Sequence, residues 1–135
     1  MKRTVLVALI LALAVTLTTT AFAGADKKDY KPTFQMEKIE ANLIAGVQSD
    51  NFGLRTSAAM MLGDLKSERG VFALMSMLRN DTDERGRIVA ALALTKIGDP
   101  VGIYAVKQTG RLDGNERVKK LCALFYQEYQ QQVIS

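Results

Sequence analysis

Three sets of residues in this 135-residue chain have types and spacings that could do chemistry. The first is Cys122, the only cysteine. A thiol nucleophile needs a base beside it, and the chain contains no histidine to serve as that base or as a metal ligand. The second set is acidic: Asp81, Asp83 and Glu84, matched one fixed interval later by Asp113, Asn115 and Glu116. A calcium loop needs oxygen ligands at alternate positions plus a distal glutamate, and neither group has that layout. Both instead read as capping boxes, with Asp81 and Asp113 as N-cap carboxylates and a glutamate three residues on. No metal and no cofactor is expected. The third set is a basic ladder, Arg55, Arg87 and Lys119, spaced by the same interval. It could dock an acidic partner or serve the fold itself.

That shared spacing organises the chain. When Asp81 is laid on Asp113, Ala58-Ala59-Met60-Met61-Leu62 falls on Ala90-Ala91-Leu92-Ala93-Leu94, and Ala90-Ala91-Leu92 falls on Cys122-Ala123-Leu124. Gly70-Val71-Phe72-Ala73-Leu74 falls on Gly102-Ile103-Tyr104-Ala105-Val106. Self-similarity at one fixed period marks a stacked-repeat architecture. Cys122 takes the place of Ala58 and Ala90, which points it into the core as a small, inert hydrophobe. Met60, Met61, Met75 and Met77 read as core filling.

Apolar residues recur at helical spacing throughout. Met36, Ile39, Leu43, Ile44 and Val47 mark a first helix; Leu54, Ala58, Met61, Leu62 and Leu65 a second. Val71, Leu74, Met75 and Leu78 mark a third, and Ala90, Ala93, Leu94 and Ile97 a fourth. A shorter fifth carries Ile103, Tyr104 and Val106. A longer sixth carries Val118, Leu121, Cys122, Phe125, Tyr129 and Val133. No stretch alternates with a period of two, so the chain is all-α. Ser67 and Asp99 supply a second pair of helix starts one period apart, and Pro100 suits a first turn. Two starts per period give two helices per repeat and three repeats.

Leu78 to Leu94, followed by Lys96-Ile97-Gly98-Asp99-Pro100, resembles a HEAT repeat of the short type found in phycobilisome-lyase-like proteins. Asp81, Asp83 and Arg87 match that family's turn and arginine, with Gly86 where an apolar residue is usual. Leu54-Arg55 and Val118-Lys119 fill the same places in the flanking copies, and the likeness spans Phe34 to about Gln132. The resemblance implies a right-handed α-solenoid of about three two-helix repeats. It also implies that Arg55, Arg87 and Lys119 pair with turn aspartates, a structural task. Ankyrin and tetratricopeptide signatures are absent. Such folds host many unrelated roles, so the family speaks to shape more than to activity.

The N-terminus reads separately. Lys2 and Arg3, the apolar run Val5 to Val15, and Ala21-Phe22-Ala23 have the three-part layout of a secretory signal peptide cut after Ala23. Thr16 to Thr20 holds four threonines, too polar for the roughly 20 apolar residues of a spanning helix. No lipidation cysteine follows. The expected organisation is a signal peptide over 1–23, a polar leader over 24–33 and the repeat domain over 34–135. The exported protein would be periplasmic or secreted, with no stable membrane anchor after cleavage. Loss of Lys2 and Arg3 would lower its net charge from +4 to +2, with no basic block left, which argues against nucleic acid as partner.

The candidate binding surface follows from the helical register. With Leu54, Gly86 and Val118 as position zero of each second helix, positions zero, four, seven, eight and eleven are the core set. Position six lies about 140° from the centre of that arc. Met60, Leu92 and Leu124 occupy it, where the family usually has a polar residue. Ile88, at position two, is grouped with them. Second helices line the concave face in this family; an apolar stripe exposed there would bind a protein partner, whereas one packed against a neighbouring repeat would be core. The expectation is a non-catalytic interaction module. The alternatives are a lyase-like or chromophore-handling subunit and a subunit that assembles with its own copies.

Overall fold

The computed structural model describes residues 32–135, with side chains from Phe34 onward. The expected signal peptide and most of the expected leader lie outside the described residues. Six helices follow: α1 (Pro32–Val47), α2 (Phe52–Asp64), α3 (Val71–Asn80), α4 (Glu84–Ile97), α5 (Pro100–Leu112) and α6 (Glu116–Ile134). A single 3₁₀ turn, Glu68–Gly70, leads into α3. The first helix therefore starts at Pro32, inside the expected leader, because a proline fits a first turn. The fifth is no shorter than the second.

The start of each even-numbered helix is built the same way, two residues later than the capping-box reading places it. The N-caps are Asn51, Asp83 and Asn115. Their side-chain oxygens accept from Leu54 N–H, Arg85 N–H, and both Arg117 and Val118 N–H, at 2.9 to 3.1 Å. Ser49, Asp81 and Asp113 stand two residues upstream and accept the N–H of the cap residue itself, at 3.1, 2.9 and 2.8 Å. Asp81 and Asp113 are thus turn residues, not N-caps. Asp–x–Asp and Asp–x–Asn offer two side chains that could each cap, and spacing to the next glutamate selects the wrong one. Asp99 does cap α5, accepting from Val101 and Gly102 N–H. Ser67, its counterpart, makes no cap bond, and its hydroxyl is buried without a partner.

Helices α2, α4 and α6 pack in series as one layer, and α1, α3 and α5 form the other, giving a two-layer α-solenoid. The fully buried residues Leu62, Leu74, Leu78, Leu94, Val106, Val118 and Cys122 lie between the layers. Helix α4 meets neighbours from both layers, and Ala90, Ala91 and Ala93 keep its flanks thin enough for that. A Cβ at Gly63 would stand 2.9 Å from the Ala93 Cα, so glycine there sets the α2–α4 separation. The turns after α2 and α4 both need a left-handed residue, Lys66 (φ 51°) and Gly98 (φ 76°). Several expected core residues are instead exposed: Met36, Ile39, Leu54, Met61, Leu65, Tyr104 and Val133. The helical pattern marks an apolar face, but no helix of the described residues covers the outer side of α1 and α2.

Candidate functional site

Position six of the second helices faces outward from the α2–α4–α6 layer. Met60 and Leu124 are 48% and 45% exposed, and Leu92 between them is half-buried. Two residues not assigned to this surface from sequence, Val89 and Leu121, share its outward arc at position three and are half-buried. Only the helical angle could have found them. Asp64, Lys96 and Glu128 edge the strip at position ten, with Lys96 Nζ 2.6 Å from Asp64 Oδ1 across the α2–α4 seam. Ile88 and Val89 are both half-buried and packed against the core; Ile88, at position two, lies toward the following repeat, where its counterpart Thr56 is buried.

The basic ladder is tied into the fold. Arg55 donates from Nε and Nη2 to the Asp81 carboxylate at 2.7 and 3.0 Å, and from Nη1 to the Asp50 carbonyl. Arg87 meets Asp113 at 3.3 Å and donates to the Asp81 carbonyl at 2.8 Å. Each arginine thus joins its own repeat to the turn of the next. Lys119 pairs with Glu116 on its own helix, 3.1 Å away. The Arg55 guanidinium holds the Asp81 carboxyl below its ordinary value, against the opposing effect of burial. Glu84 adds a second link between repeats, accepting from Asn115 Nδ2 at 2.6 Å and Arg117 Nη1 at 2.9 Å.

Cys122 is fully buried, and burial pushes its thiol up to about 12. A group that stays protonated and has no access to solvent offers no thiolate for nucleophilic work. A cleft of about 450 Å³ opens between the first two turns, lined by Val47, Ser49, Asp50, Arg55, Met77 and Asp81. Its strongest polar groups, Arg55 and Asp81, are engaged with one another. Among the described residues no group of three His, Cys, Asp or Glu side chains is placed to hold a metal ion. Nor is any helix there long and apolar enough to cross a membrane.

No curated protein matches the chain. A family model describing HEAT repeats matches residues 33–125. That span takes in the inter-repeat arginines, the doubled acidic turns and five of the six helices in full or nearly so. The chain belongs to the HEAT-repeat family.

Proposed function

We propose that the protein is an exported, non-catalytic interaction module that binds a protein partner along the outward strip of α2, α4 and α6. HEAT repeats commonly mediate protein–protein contacts, which supports the class of function. The observation that carries the reading is the outward placement of Met60, Leu92 and Leu124 at one register position in three successive repeats. An apolar line rimmed by charge is the usual form of a contact surface. The burial of Cys122 supports a structural rather than a nucleophilic role for it. Export rests on the layout of residues 1–23.

The test has two arms. N-terminal sequencing of protein recovered from outside the cytoplasm is expected to start at Gly24; an intact Met1 in the membrane fraction defeats export. Proteins co-purifying with the wild type are compared with those retained by Met60→Asp, Leu92→Asp and Leu124→Asp. The exposed sites 60 and 124 should keep the wild-type melting temperature and lose the partner. Retention of every partner by both variants defeats the strip as the binding surface.

A further inference from the structure

The two ends of the α2–α4–α6 layer differ in chemistry. Position seven of α4, Ala93, packs on Gly63 of α2, so positions zero, seven and eleven face the preceding repeat. In α4 and α6 these positions are covered: Gly86, Ala93 and Val118 are buried, and Ile97, Phe125 and Tyr129 are half-buried. In α2 the same positions are Leu54, Met61 and Leu65, exposed by 54%, 50% and 42%. At the opposite end, positions two, five and nine face the following repeat. In α2 they are Thr56, Ala59 and Gly63, all buried beneath α4. In α6 they are Lys120, Ala123 and Gln127, all exposed and mostly polar. The α6 end is finished as a surface, whereas the α2 end is left as an interior.

We infer that the α2 end is a self-association surface, on which a second copy of this chain packs its own α2 antiparallel about a two-fold axis. Head-to-tail stacking would set Leu54, Met61 and Leu65 against Lys120 and Gln127, leaving polar groups buried without partners. Pairing like ends avoids that. An axis midway along α2 brings Leu54 opposite the second copy's Leu65 at each end of a contact about 16 Å long. On that axis Met61 falls level with Ala58, beside the small, exposed Ser57. Charge fits the same arrangement. Asp50 lies just before α2 and Lys66 just after it; both are exposed, and neither carboxylate nor ammonium has an ion-pair partner among the described residues. Antiparallel packing brings each Asp50 toward the other copy's Lys66, twice over by symmetry. Parallel packing would instead set Asp50 against Asp50 and Lys66 against Lys66.

The experiment is the mass of the protein in solution, as its producing cells process it, measured by light scattering across a concentration series. A dimer is expected, with no larger assembly. Met61→Glu should weaken dimerisation at least tenfold while keeping the melting temperature of the separated chains, because the site is solvent-exposed in one copy. Asp50→Lys and Lys66→Asp should each weaken it, and the double variant should restore it. A monomer at every concentration overturns the inference, whether residues 1–31 or another protein covers the face. So do an open-ended assembly, a dimer indifferent to Met61→Glu, and a double variant no better than its parents. Met60, Leu92 and Leu124 are untouched by these changes, so loss of the dimer with the partner retained leaves the outward strip standing.

Discussion

The two arginine rungs of the ladder, Arg55–Asp81 and Arg87–Asp113, share residue types and a 26-residue spacing, yet differ in quality. The arginine side chains are equally covered, at 16% and 17% exposure, but Asp81 is 3% exposed and Asp113 14%. Asp81 receives two guanidinium bonds, at 2.7 and 3.0 Å. Asp113 receives one, at 3.3 Å, while the buried Arg87 Nε lacks any hydrogen bond of good geometry. The cause lies five residues on from each aspartate. A Cβ at Gly86 would overlap the Asp81 carboxylate, so the missing side chain is what lets that carboxylate settle inward. Val118 holds the equivalent place and is fully buried, keeping the Asp113 carboxylate further out. One copy gives up an apolar contact and gains a tight ion pair; the other does the reverse.

Breaking the rungs separately should show the difference most clearly. Asp81→Ala removes the partner of a mostly covered guanidinium and also opens the turn at Asp83, and is expected to cost about 3 kcal/mol. Asp113→Ala should cost about 1 kcal/mol, since its ion pair is looser and more exposed. Urea denaturation of both variants measures the gap; equal losses would mean that rung geometry does not set stability.

Gly86→Val imports the other copy's residue and should force the Asp81 carboxylate outward, at a cost of about 2 kcal/mol. The sharper reading is coupling. In a Gly86→Val background, Asp81→Ala should cost clearly less than it does in the wild type, because the ion pair is already loosened. Additive losses in the double variant would detach glycine from the rung.

Acid separates the two turns by their second residue. Asp83 is held at about 2 by the Arg85 guanidinium and the Arg85 N–H, and Asp81 is lowered by Arg55; their usual value is 3.8. A depressed folded value gives stability that is complete above the unfolded value and lost as pH falls through the folded one. Asp83 should therefore withdraw its support between about pH 4 and pH 2, and Asp81 should lose its own as pH falls below the ordinary carboxylate range. The later turn has Asn115 in the cap, which does not titrate. Asp83→Asn should keep a working cap and flatten the acid limb of a pH–stability curve. An unchanged limb would place the acid sensitivity elsewhere.

Much of this architecture is legible in the sequence. The fixed repeat period, two helices per repeat and the apolar registers all follow from side-chain types, since helix registers are local. The same locality explains what the sequence hides. Asp81 and Asp83 both offer a carboxylate to the helix start. Only tertiary demand from Arg55, in the preceding repeat, assigns one to the ion pair and leaves the other as cap. Leu54, Met61 and Leu65 carry the pattern of core residues because their counterparts are core. Their exposure depends on which helices stand beside α2, which no local pattern encodes.

The last rung extends the comparison to its limit. Lys119 holds the position of Arg55 and Arg87, yet no aspartate of a following turn faces it among the described residues. It turns to Glu116, three residues back on α6, whose side chain is 87% exposed. A pair that wet gains little over two hydrated ions and pays entropy to hold two long side chains together. Lys119→Ala should accordingly change stability by no more than about 0.5 kcal/mol. Replacing Lys119 by arginine should gain nothing, since a fork of donors needs a carboxylate placed to receive it. The Arg55 side chain at the same register in α2 should contribute several times more, because Asp81 in the next turn and the Asp50 carbonyl both receive it. A Lys119→Ala loss as large as that of Asp113→Ala would mean that something beyond Glu116 engages the lysine, and the ladder would then continue past α6.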